Sequence, residues 1–346
     1  MNRLNIKDLS VGELPSLIAP LDDRRHRTAQ ILKWLYQKGV SRFDEMTNLP
    51  LSLREQLARR FVITRLECAD SVSSEEDNSQ KFLLATDDGN LIEAVLMDMG
   101  DHQTICISSQ VGCSLGCHFC RTGEGGLERN LRCDEILNQV LFFKAGHLKP
   151  RRRFNIVYMG MGEPLLNLDN VSRSLKTLNH MEAFALGEKR ITLSTIGLPG
   201  PIAKLAETDL KFGLAISLNA TTDKTRKSIM PKAAAIRETL IAAEQFACRR
   251  NVRVTLEYVL IAGINDSPED ARRLSRLTAG RPFKINLIPL NEWDGSDLRR
   301  PEETVIDRFI ELLLPKAPAV TVRRSLGTDI SAACGQLRVR KIEESR

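Results

Sequence analysis

A chain of 346 residues that is 42% hydrophobic can bury one large core with a small accessory domain beside it. Lys and Arg outnumber Asp and Glu by only 50 to 44, and no run approaches the roughly 20 apolar residues of a membrane span, which excludes a helical membrane protein. Aromatic residues, at 5%, are too few for a sheet of base-stacking platforms.

The opening residues, Met1-Asn-Arg-Leu-Asn-Ile-Lys-Asp8, hold no apolar signal-peptide core, so a cytoplasmic location is expected, in which the eight cysteines stay reduced. Residues 1–78 read as a small helical accessory domain. One helix is expected near Arg25–Gly39, with Ile31, Leu32, Trp34 and Leu35 on one face, and a second after Leu49-Pro50. Ser71–Gln80 is polar and without periodicity, which predicts a linker. Two strand-like runs flank Asp87-Asp-Gly-Asn90, so residues 79–103 are expected to form a β-hairpin extension.

From residue 104 to 337 short apolar runs alternate with helical stretches, the rhythm of βα units. Strands are expected at 104–109, 155–159, 190–194, 213–218, 253–260, 284–289 and 320–323. Helices are expected near 132–146, 168–182, 198–207, 222–229, 235–250, 267–279 and 302–314. About six units predict an α/β fold, an open partial (β/α)6 barrel with ligands at the carboxyl ends of its strands. Residues 338–346 remain as a basic tail.

Three cysteines, Cys113, Cys117 and Cys120, follow the first of these strands with the spacing C-x3-C-x2-C. They offer three thiolates to a 4Fe-4S cluster that takes four ligands, so one iron stays open to a non-protein ligand. The other arrangement is a zinc knuckle completed by His118 or Cys106. In Met159-Gly-Met-Gly-Glu-Pro164 the glycines let backbone approach a ligand and Glu163 can accept from an ammonium group; the same run also fits a strand-to-helix turn. Ser194, Ser217, Leu218, Asn219 and Asn291 stand at later strand tips, where serine and asparagine side chains could bond a ligand or cap a helix. Cys334 lies among small residues after the last strand, and Cys106 lies on the strand leading into the cluster loop. Two further thiols there point to covalent sulfur chemistry. Cys68, Cys133 and Cys248 are expected as small buried apolar groups. Knots of basic residues at 24–27, 59–60, 149–153, 249–250, 299–300 and 323–324 either converge on a phosphate backbone or are solvated loop charges.

Gln110-Val-Gly-Cys113, Cys120-Arg-Thr-Gly-Glu-Gly-Gly126, Arg129-Asn-Leu131, Gly160-Met-Gly-Glu-Pro164, Glu257-Tyr-Val-Leu260 and Ala332-Ala-Cys-Gly-Gln-Leu337 together resemble the RlmN/Cfr family of radical SAM RNA methyltransferases. Gln30-Ile-Leu-Lys-Trp-Leu-Tyr-Gln-Lys-Gly39 and Glu45–Pro50 resemble its RNA-binding accessory domain. The resemblance implies a 4Fe-4S cluster on Cys113, Cys117 and Cys120. It also implies S-adenosylmethionine bound by Gly162, Glu163, Ser194, Ser217, Leu218, Asn219 and Asn291. The activity implied is methylation at C2 or C8 of an adenosine in ribosomal or transfer RNA, consuming two S-adenosylmethionine. In that scheme Cys334 carries the methyl group and Glu93 accepts the proton from the base. Cys106 then resolves the intermediate through a transient disulfide. A reductant such as flavodoxin or ferredoxin and a monomeric state are further implications. Two departures stand out: Asn219 where a histidine is frequent, and Asn291-Glu-Trp-Asp-Gly295 in place of a proline-rich stretch. A radical enzyme with another substrate, or a non-catalytic metal- or RNA-binding protein, are the rival readings.

Overall fold

The computed structural model describes residues 3–337 apart from Asp294, Lys316 and Arg324. The expected basic tail at 338–346 therefore lies outside the described residues. Near the N-terminus β1 (Leu4–Asn5) pairs in parallel with β2 (Phe61–Val62), and between them run α1 (Leu14–Ile18), α2 (His26–Leu32) and α3 (Leu51–Arg60). α2 continues as a π-helical turn over Lys33–Lys38, and Gly39, at φ 69°, ends it in a left-handed cap that costs glycine nothing. α3 starts after Pro50, as its sequence predicts.

The remaining strands are β3 (Glu67–Ser73), β4 (Gln80–Ala85), β5 (Leu91–Asp98), β6 (His102–Cys106), β7 (Gln110–Gly112), β8 (Leu127–Asn130), β9 (Arg153–Tyr158), β10 (Ile191–Thr195), β11 (Gly213–Ser217), β12 (Val254–Leu260), β13 (Phe283–Pro289) and β14 (Val320–Val322). All but β7 and β8 join one ten-stranded sheet in the order β14-β13-β12-β11-β10-β9-β6-β5-β4-β3. Pairing is parallel from β6 through β14 and antiparallel from β3 to β6. The helices between parallel strands are α4 (Cys133–Gly146), α5 (Leu168–Asn179), α6 (Pro199–Ala206), α7 (Asp223–Ile229), α8 (Ile236–Arg250), α9 (Pro268–Thr278) and α10 (Glu303–Leu313). Each sits within a few residues of its expected range, because strands such as β12 bury apolar side chains on both faces while α5, α9 and α10 bury one stripe. Caps fix the boundaries: the Thr222 hydroxyl accepts from Thr225 N at 3.2 Å, and the Ser267 hydroxyl from Asp270 N at 3.1 Å.

One expectation fails. Ser71–Gln80 is no linker: its first three residues finish β3, and Gln80 begins β4. β3 is exposed at all seven positions, so it shows no apolar alternation, and backbone pairing with β4 at the sheet edge makes it a strand. The hairpin around Asp87-Asp-Gly-Asn90 does form, but its strands continue the main sheet.

The N-terminal segment is joined to α4 through a buried polar cluster. Asn5 Nδ2 donates to Asp134 Oδ2 at 2.6 Å, and Lys7 Nζ donates to Thr64 O at 2.5 Å and to Asn138 Oδ1. Lys7 is 1% exposed, and burial pulls its ammonium down to about 7 against the opposing pull of Asp134. Below that pH, lysine is charged in both folded and unfolded chains and its desolvation burdens the fold. As pH rises through 7 the folded chain sheds the proton while the unfolded one holds it to about 10.4, so stability grows across that window. The melting temperature of the wild type relative to Lys7→Met should accordingly climb between pH 7 and pH 10, and a difference flat with pH would contradict the assignment.

Candidate active site

A cleft opens at the carboxyl ends of β9 to β13. Cys113, Cys117 and Cys120 line one side, and Gly162, Glu163, Ser194, Ser217, Asn291 and Cys334 line the others. The cysteine loop is held from beneath. Cys113 N donates to Gly126 O at 2.7 Å, Cys120 N to Cys117 O at 3.0 Å, and His118 N to Ile229 O at 2.9 Å. Gly112, at φ 77°, could not be another residue, since a Cβ there would stand 2.1 Å from Gly126 O.

The donor set fits an iron–sulfur cluster and not a single zinc ion. A tetrahedral zinc with Zn–S near 2.3 Å would bring its sulfurs to about 3.8 Å of one another. Among the described residues, none of these three sulfurs belongs to any trio of His, Cys or carboxylate ligand atoms within 4.8 Å of one another. Burial pushes the Cys113 thiol up to about 11, and it raises Cys117 and Cys120 as well, with neighbouring thiols adding to the effect at Cys117. A cationic metal centre is what turns such buried thiols into thiolates.

Glu163 meets both roles open to its sequence. Its Oε1 accepts from Leu165 N at 3.0 Å at the start of the 3-10 turn Pro164–Asn167, and its Oε2 accepts from Ile196 N at 2.8 Å beyond β10. The carboxyl is buried, which raises it, and with the Thr195 side chain also bonding it, one lone pair is left for a donor in the cleft. Gly162, at φ 100°, lets Glu163 N reach Gln110 Oε1 at 2.8 Å, because a Cβ would fall 2.5 Å from Gln110 Cβ. Ser194 Oγ donates to Glu257 Oε2 at 3.3 Å. Leu218 and Asn219 do not line the cleft. Asn219 is 1% exposed, its Oδ1 accepting from Val259 N at 2.8 Å and its Nδ2 donating to Met230 Sδ at 3.4 Å. Its side chain braces β11 against β12 behind the cofactor-facing wall.

Cys334 stands between two cavities. It lines the cysteine cleft, and it also lines a second cavity together with Cys106, Met99, Met159 and Arg323. The C-terminal segment is strapped across the cluster loop: Arg121 N donates to Gly335 O at 2.7 Å, Thr122 Oγ1 to Leu337 O at 2.5 Å, and Asn291 Nδ2 to Cys334 O at 3.1 Å. Val95 on β5 lies opposite Cys106 on β6, so Glu93, two residues earlier, shares a sheet face with that thiol. Lys81, opposite Val95 on β4, joins the same face, its Nζ 3.4 Å from Glu93 Oε1 and donating to Ser331 O at 3.2 Å. Burial pushes the Cys106 thiol up to about 12, with Cys334 adding to the rise and Arg323 opposing it. All eight cysteines are free in this structure, and Cys68 and Cys248 are exposed, contrary to expectation, because each sits on the outer face of an edge strand or helix end; Cys133 is buried.

From the sequence, four charged residues of the site are given no role in it. Glu257, already named in a family-like motif, is a lone acid buried within apolar β12; Arg323 shows only as part of a basic pair, and Lys81 carries no local signal. Arg226 gives none either, though it is 1% exposed. Its guanidinium donates to Ser217 O at 2.9 Å, Ile196 O at 2.7 Å, Ala234 O at 2.9 Å and Leu218 O, gathering the tips of β10 and β11. Several basic knots are spent in ion pairs: Lys149 and Arg152 with Asp98, Arg249 with Glu207, and Arg300 with Glu303.

Residues 4–63 match the ribosomal RNA large subunit methyltransferase N-terminal domain, and residues 107–274 match the radical SAM superfamily. The dual-specificity RNA methyltransferase RlmN of Geotalea uraniireducens is 44% identical over 342 residues, 98% of each chain. The probable enzyme of the same name from Thermotoga maritima is 43% identical over 341 residues, again 98% of each. A crystal structure of a radical SAM methyltransferase from Sphaerobacter thermophilus is similar with a TM-score of 0.88 at 41% identity, covering 97% of this chain and 99% of that one.

Removing Arg226 leaves four buried carbonyls without their donor. Arg226→Met should lower the unfolding free energy by about 3 kcal/mol or more in urea titration, with Arg226→Lys intermediate because an ammonium cannot span the same fork of acceptors. A loss below about 1 kcal/mol would mean that water replaces the guanidinium.

Proposed function

The chain belongs to the RlmN family of radical SAM RNA methyltransferases, and on that premise we propose that it methylates C2 or C8 of an adenosine in ribosomal or transfer RNA through Cys334. One observation carries the proposal: the Cys334 thiol faces both the cysteine cleft and the cavity that holds Cys106. The electron-poor carbons C2 and C8 of adenine are not nucleophiles toward a methyl sulfonium, so a methyl carrier and a radical are needed. The 4Fe-4S cluster and S-adenosylmethionine, when bound, supply the methyl group and the radical that activates it.

The protein's own residues do the rest. Cys113, Cys117 and Cys120 hold the cluster, while Glu163 takes the ammonium of S-adenosylmethionine and Ser194, Ser217 and Asn291 bond its polar edges. Leu218 and Asn219 support that wall from behind. Cys334 accepts the methyl group and presents the activated carbon to an adenine turned out of its stack. Glu93 takes the proton from the base, the one electron left over after the radical adds would return to the oxidised cluster when that is bound, and Lys81, its Nζ 3.4 Å from Glu93 Oε1, holds the carboxylate in place. Cys106 then attacks the Cys334 sulfur, freeing the methylated base and leaving a disulfide that external thiols reduce.

The proposal includes residues 1–78 as an RNA-binding accessory domain, 79–103 as the hairpin extension, 104–337 as the catalytic core and 338–346 as a basic tail. No described helix is long and apolar enough to cross a membrane. A cytoplasmic monomer reduced by a flavodoxin or ferredoxin completes the assignment. A non-catalytic binding role would leave Glu93, Cys106 and Cys334 gathered for no purpose.

Anaerobically purified protein should carry about four iron and four sulfide per chain, and a colourless protein with stoichiometric zinc would sink the assignment. Cys106→Ala should retain RNA bound covalently through Cys334, since the resolving thiol is gone; recovery of free RNA alone under turnover conditions counts against it. Mass spectrometry of nucleosides from cells with and without the gene distinguishes 2-methyl- from 8-methyladenosine.

A further inference from the structure

Two cations flank the cysteine loop. Arg226 sits behind the cleft wall, where Ser217, Ile196 and Met230 all line the cleft. Its guanidinium donates to Ser217 O at 2.9 Å and to Ile196 O at 2.7 Å, and it stands 3.9 Å from Met230 Sδ. Lys232 reaches the loop from outside, its Nζ donating to Ser114 O, one residue past Cys113. The end of α7 that lies between them is pinned to the same loop, since His118, next to Cys117, donates its N–H to Ile229 O at 2.9 Å.

Among the described residues neither cation has a carboxylate in ion-pair reach, and every bond either one makes goes to a backbone carbonyl or a sulfur. Carbonyl acceptors need only N–H groups, which a neutral amide side chain supplies. A permanent charge at this place therefore does more than close hydrogen bonds. Arg226 is 1% exposed, and in a low-dielectric interior its charge is felt further than a solvated one. The Cys117 sulfur acts on it more strongly than Asp223 does, whose Oδ1 is taken up by Ile236 N at 2.7 Å. Lys232 acts in the same sense on Cys113, and Glu163 opposes both cations. A 4Fe-4S centre held by Cys113, Cys117 and Cys120 gains one negative charge when it takes an electron from its donor. Fixed positive charge beside its thiolates stabilises that reduced state more than the oxidised one.

We infer that Arg226 and Lys232 raise the reduction potential of the cluster, so that it accepts an electron from a weaker external donor. Both act through the cysteine loop and are positioning residues. The inference rests on the assignment of that loop as the cluster site and goes beyond it by naming what tunes the cluster. Potentiometric titration of the anaerobically reconstituted full chain, without S-adenosylmethionine and followed by the electron paramagnetic resonance of the reduced centre, reads the effect directly.

Arg226→Gln should lower the ratio of reduced to oxidised cluster at a fixed potential roughly tenfold, a shift of about 59 mV for one electron. Arg226→Lys, which restores the charge, should recover most of that shift, whereas a purely structural arginine would leave the potential alike in both variants. Lys232 is exposed, so Lys232→Met keeps the fold and should lower the ratio roughly threefold at low salt. That smaller shift should shrink in about 1 M salt, while the shift in Arg226→Gln persists because its charge is buried. If Arg226→Gln loses its cluster, an unchanged potential in Lys232→Met at low salt is enough to overturn the inference. Unchanged potentials in both variants overturn it and leave the methyltransferase assignment standing. Absence of iron from the wild type overturns the cluster assignment, and the inference with it.

Discussion

Everything in the site depends on a strap: the C-terminal segment must lie across the loop of Cys113, Cys117 and Cys120 so that Cys334 faces the cluster side. Sequence separates Thr122 from Leu337 by 215 residues, and a single hydroxyl-to-carbonyl bond joins them. Closing so long a loop carries an entropic cost that isolated bonds do not offset, so the strap is anchored at several points. Gly327 N donates to Asp77 Oδ2 at 2.6 Å, Glu75 N to Asp329 Oδ2 at 3.2 Å, and Lys81 Nζ to Ser331 O. The β3–β4 hairpin is therefore a buttress for the segment that presents Cys334. Its exposed polar turn, which looks idle in sequence, is half of an interlocked pair.

This explains which features the sequence discloses. The βα rhythm is legible because each parallel strand and its helix bury apolar residues at their own period, and the caps at Thr222 and Ser267 are local. The cysteine triplet is legible for the same reason, its chemistry being written in eight consecutive residues. β3 is not legible, since an edge strand exposed on both faces is held by backbone alone. Lys81, Arg226 and Arg323 act on partners far along the chain, and no periodicity marks them. Asn219 shows the opposite error: its place at a strand tip suggests a ligand contact, whereas its positive φ of 53° turns the side chain into bonds with β12.

Charge is distributed in the site with the same dependence on long-range contact. Glu163 and Glu257 are buried acids raised by burial, and Arg226 is a buried base lowered to about 10 by burial and still protonated at neutral pH. Carbonyl dipoles, not carboxylates, satisfy Arg226, which leaves its net positive charge available to a field that includes Cys117. Buried charges of both signs are expensive in a low-dielectric interior unless a partner arrives. An anionic cluster and a zwitterionic, sulfonium-bearing cofactor are partners of the right signs, so the cleft is organised for its cofactors before they bind.

Burial also orders the steps of the thiol chemistry. Cys106 is 7% exposed, and its thiol, pushed up to about 12, is almost wholly protonated at neutral pH and a poor nucleophile. In the proposed scheme, a resolving thiol that ionised freely would attack Cys334 early or be oxidised beside a radical source. Arg323 opposes that rise, and its own charge is strengthened first by Cys334, then by Glu257 and Cys106. The arginine thus sits where it favours thiolate character on Cys106, while burial among Met97, Met99 and Met159 opposes it. Under the proposed scheme, reactivity would be tied to what occupies the cavity between the two cysteines: a substrate filling it would change the solvation around Cys106, and the thiol would become competent once there is a covalent intermediate to resolve.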